Sequence, residues 1–272
     1  MIPELSKEEL QQLTVIELAS RMDAILEENE IERYGLEAFQ FKKDMPGRPS
    51  VTRILQTNHV AKMDTDKQRT LCYLAFNTLL QMEYSNVASA ASNTIVYSRN
   101  YSEESWKSVK TQVNNSALNQ FQIISSRISM ECFMELVHFL GEGERIRAKK
   151  STFKSFKKWL NNPENPFSYF ATHILRAFVF DRNHRSPEVH GSSKLHGNVL
   201  QMKTPNFNDK NKLLQLTNVM LNVWQPLLDI LNDGKAYSIQ GGEDDFKWLK
   251  AYTSGDDQEK ERFLKNIFDQ MQ

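Results

Sequence analysis

Two stretches, Asp66–Ser98 and Ser116–Leu140, carry apolar residues at helical spacing over many turns. Alanine, leucine and methionine are in excess in the first, and Gly141 and Gly143 end the second. No convincing parallel-sheet pattern accompanies them. With 10 glycines and 8 prolines in 272 residues, few positions break a helix. The expected fold class is all-α.

The remaining segments read in the same way. Ser6-Lys7-Glu8-Glu9 is a capping box, followed by Leu10, Leu13, Ile16, Leu18, Met22, Ile25 and Leu26, which predicts a helix to about Glu30. Tyr34–Lys62 holds Pro46, Gly47 and Pro49 and no sustained period, which predicts a long connection with a strand-like piece at Val51–Leu55. Ser102-Glu103-Glu104-Ser105 opens a shorter helix. Ser151–Leu160 is amphipathic, with Phe153, Phe156, Trp159 and Leu160 on one side and lysines on the other, and Pro163 and Pro166 end it. Phe167–Phe180 reads as a buried helix. Asp209–Leu231 is the next, with Pro226 predicting a kink or an early stop. Asp244–Tyr252 and Asp256–Met271 close the chain. The expected organisation is an acidic N-terminal helix and connection over 1–63, a helical bundle over 64–235, and C-terminal helices over 236–272 packed on that bundle.

Composition narrows the setting. Forty per cent hydrophobic and a quarter charged residues describe an ordinary globular chain. No run of about 18 apolar residues appears, so no membrane span is expected. The N-terminus, MIPELSKEEL, has no apolar core of a signal peptide. Cys72 and Cys132 lie in apolar helical patterns and read as buried thiols of a reducing compartment, with the cytoplasm as the expected location.

Net charge is zero, but its distribution is uneven. Met1–Glu37 holds ten acidic residues against three basic ones, and Gly241–Glu261 is acidic again. Glu144–Lys158 carries Arg145, Arg147, Lys149, Lys150, Lys154, Lys157 and Lys158 against one acidic residue. Such a strip suits a phosphate-bearing ligand, RNA included, or pairing with the acidic segments. Arg127 and Glu131, one turn apart in an apolar helix, either orient a site residue or form a structural i,i+4 pair.

The scarce titratable groups gather in Asp181–Asn198, DRNHRSPEVHGSSKLHGN. His184, His190 and His196 are six residues apart, about 240° on a helix, so neighbours share no face and no metal is expected. Glycine-rich phosphate loops and nucleophile elbows are absent, and no cofactor is expected. Ser186-Pro187-Glu188 reads as a helix start, which turns Arg185 toward His190. An arginine fork, a histidine titrating near neutrality and helix N-terminal amides together suit a phosphodiester. The residues alone leave open that Arg182 and Arg185 merely pair with carboxylates.

Arg185-Ser186-Pro187-Glu188-Val189-His190 fits R-x4-H and follows an apolar segment in an all-α chain. This resembles the HEPN superfamily of helical-bundle ribonucleases over about Ser116 to Leu231. The proline inside the motif departs from the smoother helix common in that family. The resemblance implies a metal-independent endoribonuclease, acting as a homodimer that brings paired Arg and His to one cleft. Members are frequent in toxin–antitoxin and anti-phage systems, which implies a regulatory protein partner. Under it Arg185, helped by Arg182, holds the phosphate, His190 moves the proton, and Asn183, Ser186 and Glu188 orient them. The alternative is a non-catalytic helical module that binds RNA, a nucleotide or a protein partner.

Overall fold

The computed structural model describes residues 2–31, 50–97, 108–146, 152–160, 162, 164–170, 197, 199–201, 224 and 226–232. Among these residues every regular element is helical, and none is long and apolar enough to cross a membrane. The chain has the all-α fold expected of it.

The capping box forms, with the Ser6 amide donating to Glu9 and the Glu9 amide donating to Ser6 Oγ. The helix it starts is short. α1 spans Lys7–Gln12, and a second helix, α2, spans Val15–Ile31. The expected single helix to Glu30 is therefore two. The break is written in Thr14-Val15-Ile16-Glu17, a second capping box. The Thr14 amide donates to Glu17 Oε2 (2.8 Å) and the Glu17 amide to Thr14 Oγ1 (3.3 Å). From a later helix Arg69 closes α1, donating to the carbonyls of Leu13 (2.6 Å), Leu10 (3.1 Å) and Gln11 (3.2 Å). A guanidinium there satisfies carbonyls that a helix end leaves open.

Val51–Leu55 is a helical turn, α3, and not the expected strand. Three β-branched residues, Val51, Thr52 and Ile54, suggest a strand, but Val51 and Ile54 are both buried, and that spacing belongs to a helix. Asp23 of α2 sets its start, accepting from Ser50 Oγ (2.7 Å) and from the amides of Val51 (2.7 Å) and Thr52 (2.9 Å). A 3-10 turn, Val60–Lys62, follows.

Two long helices dominate: α4, Thr65–Tyr97, and α5, Val109–Glu142. At 33 and 34 residues, each is about 50 Å long. They lie antiparallel, since Lys67 meets Gly143 at one end and Ser85 meets Ser126 further along. α5 begins seven residues before the expected Ser116; the expected helix start at Ser102–Ser105 lies outside the described residues. Its first turns bury Gln112 and Asn115, so apolar periodicity had nothing to report there.

The paired helices change character along their length. Near the C-terminal end of α5, Leu71, Leu74, Ala75 and Leu79 pack with Met130, Phe133, Leu136 and Val137 in the apolar core. Toward the other end α5 buries Gln112, Asn115, Asn119, Gln122, Ser125, Ser126 and Ser129. Ser85 Oγ and Ser126 Oγ are 2.7 Å apart in that seam. Buried polar groups need partners; Ser85 and Ser126 supply one another, whereas Gln122 Nε2 and Ser129 Oγ are buried without one.

α6, Thr152–Leu160, lies on α5 with Phe153, Phe156 and Leu160 buried. The chain then turns through a 3-10 segment, Pro166–Phe170, where a regular buried helix is expected; 171–180 lies outside the described residues. Phe170 meets Phe133 edge-on with ring centroids 5.5 Å apart. Trp224 and residues 226–232, Pro226 among them, are helical. Trp224, Leu227 and Leu231 enter the same core as α2 to α6. The expected helices at 244–252 and 256–271 lie outside the described residues.

Gly143 ends α5 in the left-handed conformation, φ 69°, with its amide donating to Phe139 O (2.8 Å). Gly141 has a different task. A β-carbon there would lie 2.6 Å from Trp159 Cζ2 and 3.2 Å from Phe167 Cε2. Alanine at 141 gains about 1 kcal/mol of helix propensity and loses about 1–3 kcal/mol to overpacking. We expect Gly141→Ala to lower stability by urea denaturation; a more stable variant would show that the indole moves aside freely.

Candidate functional site

The Arg–His constellation, Arg182, Asn183, Arg185, Ser186, Glu188 and His190, lies outside the described residues, as do Arg147, Lys149 and Lys150. Arg127, Glu131, Arg145, Lys154, Lys157 and Lys158 are described, the three lysines on α6 itself.

α6 turns its aromatic side onto α5 and leaves Lys154 and Lys158 exposed, with Lys157 half-buried. Lys157 Nζ and the Arg127 guanidinium each stand 5.9 Å from the centroid of the Phe153 ring. Arg127 also pairs with Glu131 across one helical turn at 2.8 Å, with only 11% of its side chain exposed. Phe153 is thus a packing residue flanked by two cations, each gaining from the ring face. The Arg127–Glu131 pair forms on α5 and braces α6 from below.

Arg145, just beyond α5, is tied back by hydrogen bonds from Nε and Nη2 to Glu135 Oε2. Lys154, Lys158 and Arg145 are all exposed, Arg145 with 64% of its side chain in solvent despite its tie to Glu135. Lysines there would meet a phosphate backbone as point charges at the protein surface.

A cavity of about 320 Å³ lies between the end of α5, the α6–Pro166 turn and the 226–232 helix. His59, Glu142, Trp159 and Asn165 line it. Each has structural work. His59 Nε2 contacts Leu140 O at 2.7 Å, while its backbone amide donates to Leu231 O at 3.0 Å. Since a carbonyl only accepts, that ring nitrogen carries the proton. Trp159 Nε1 donates to Glu142, and Asn165 Oδ1 accepts from the Phe167 amide at 3.0 Å. The hollow is a joint between elements, and sequence reading missed it because its residues are scattered over four segments.

Comparison with protein families, curated proteins and solved structures finds no match. The residues themselves carry the argument. Among those described, no three of His, Cys, Asp and Glu come together as metal ligands. Cys72 and Cys132 are free thiols. Burial pushes Cys72 up to about 12 and Cys132 up to about 11. Neither supplies a thiolate nucleophile near neutral pH.

Cys72 has a consequence for stability. Its thiol keeps its proton in the folded chain to about pH 12, while in the unfolded chain it ionises from about 9. A raised folded value stabilises below the unfolded value and is lost as pH rises, so stability falls from about pH 9 upward. Alkylation of Cys72, followed by mass spectrometry, should proceed at the rate of unfolding; rapid labelling at neutral pH would contradict this burial.

Proposed function

We propose that this chain is a metal-independent, HEPN-like endoribonuclease of the cytoplasm, in which Arg185 and His190 act on the RNA phosphodiester. The observation that carries the reading is the R-x4-H spacing of those two residues in a chain whose described elements are all helical. The outward Lys154 and Lys158 of α6 support it as positive charge suited to an RNA backbone. A toxin or anti-phage role, under a regulatory partner, is the setting we assign to it.

In this mechanism the His190 imidazole takes the proton from a ribose 2′-hydroxyl as its oxygen attacks the adjacent phosphorus. Arg185, with Arg182 beside it, donates to the phosphate oxygens and stabilises the charge that grows on them. The bond to the 5′-oxygen then breaks as the His190 imidazolium gives its proton to that oxygen, leaving a 2′,3′-cyclic phosphate and a 5′-hydroxyl. Asn183, Ser186 and Glu188 orient the pair. No step calls on a metal.

Incubation of the full chain with RNA in excess EDTA tests this. Cleavage that persists is the expected result. Absence of cleavage, with RNA still bound, would overturn it in favour of a non-catalytic RNA-binding module.

A further inference from the structure

The N-terminal half of α5 is turned inside out. It buries glutamine, asparagine and serine against α4, and it exposes Val109 (62%), Val113 (50%), Phe121 (48%), Ile124 (37%) and Ile128 (39%). At about 100° per residue these side chains, with exposed Ala117, fall within one stripe of about 120°. Residues 111–126 carry no charge at all. Exposed Lys110 lies within the stripe at one end, and Glu131, its side chain 45% exposed, lies within it at the other.

We propose that this stripe docks on the same stripe of a second copy of the chain, antiparallel and about a two-fold axis. The charge pattern selects that occupant. When Lys110 is set opposite Glu131 of the partner copy, the same register sets Val113 opposite Ile128 and Ala117 opposite Ile124, and it brings Gln120 and Phe121 to the axis. Between the charges Val113, Ala117, Ile124 and Ile128 each meet another member, Phe121 meets Gln120, and each end closes with an opposite charge. A parallel pairing would stack Lys110 on Lys110 and Glu131 on Glu131. A two-fold interface uses one patch twice, so a self-complementary stripe suits it. A charge-free centre with charges at the rim is the usual anatomy of a protein interface. The contact is about 30 Å long, from Lys110 to Glu131. Glu131 keeps its intrahelical bond to Arg127 through one oxygen, at 2.8 Å, and meets the lysine through its other oxygen.

This surface is argued from α5 alone and does not rest on the ribonuclease reading, which stands or falls by RNA cleavage. Sedimentation velocity of the full chain across the micromolar range should show a concentration-dependent dimer. Ile124→Asp, at an exposed position where folding is retained by circular dichroism, should weaken it by at least about tenfold. Mixing a Val113→Cys chain with an Ile128→Cys chain under oxidation should give a cross-linked heterodimer, while each variant alone and the parent chain do not cross-link. A chain that stays monomeric overturns the proposal, as does a dimer indifferent to Ile124→Asp. Self-cross-linking of Val113→Cys, with none in the mixture, would overturn the antiparallel register.

Discussion

Replacing His190 by alanine should slow RNA cleavage by about 10²–10⁴-fold, the usual worth of a positioned acid–base group. The imidazole is the one group of the R-x4-H hexapeptide that gives and takes a proton near neutral pH. A group kept for the reaction is not one that holds the fold, so the melting temperature should stay where it is. Arg185→Lys tells charge from geometry. Lysine keeps the positive charge but loses the fork that grips two phosphate oxygens, so it should lose most of the rate as well. The measurement is initial-rate cleavage of a fluorophore-labelled RNA beside a thermal melt. Full activity of both variants would remove Arg185 and His190 from the reaction.

The largest effect on folding should come from Asp23. Its carboxylate accepts from Ser50 Oγ and from the amides of Val51 and Thr52, the open donors at the start of α3. Bonds to a charged acceptor are worth more than neutral ones, and amides left without it lose their partner in partly buried surroundings. We expect Asp23→Ala to cost about 3 kcal/mol in urea unfolding, within the range for a lost cap plus charged hydrogen bonds. Asp23→Asn retains an accepting oxygen and should recover part of that loss. Stability unchanged in both would mean that α3 is held by Val51 and Ile54 alone.

Asp23 also marks where sequence reading failed. Nothing in Val51–Leu55 announces a helix start except Ser50, and the decisive acceptor comes from a residue 27 positions earlier in the chain. Local propensity favoured a strand because valine and isoleucine do; the distant carboxylate decided otherwise. The break between α1 and α2 was legible, since Thr14 and Glu17 spell a second capping box, but the apolar period running through it masked the signal. α4 was read almost to the residue, because the helix formers alanine, leucine and methionine are in excess and no glycine or proline interrupts it. The start of α5 escaped for the opposite reason. Periodicity detects a helix by its buried apolar residues, and this one buries amides and hydroxyls. At the site, the amphipathic nature of α6 was plain from its aromatic and lysine spacing. The commitment of Arg145 to Glu135, ten residues away, was not, because an ion pair leaves no periodic trace.

The inverted polarity of α5 and the Arg–His pair are separate features, and their tests are separate. A monomer would remove the α5 interface and the homodimer that the HEPN resemblance implies, and RNA cleavage would still decide whether Arg185 and His190 act. An inactive dimer would leave the α5 surface intact as an interface.

The most direct test of the central claim is to give the full chain an RNA and a DNA of the same sequence, side by side, in excess EDTA. Attack by a 2′-hydroxyl requires that the RNA be cut to 2′,3′-cyclic-phosphate ends and that the DNA stay whole. Intact RNA, or RNA and DNA cut alike, would contradict it.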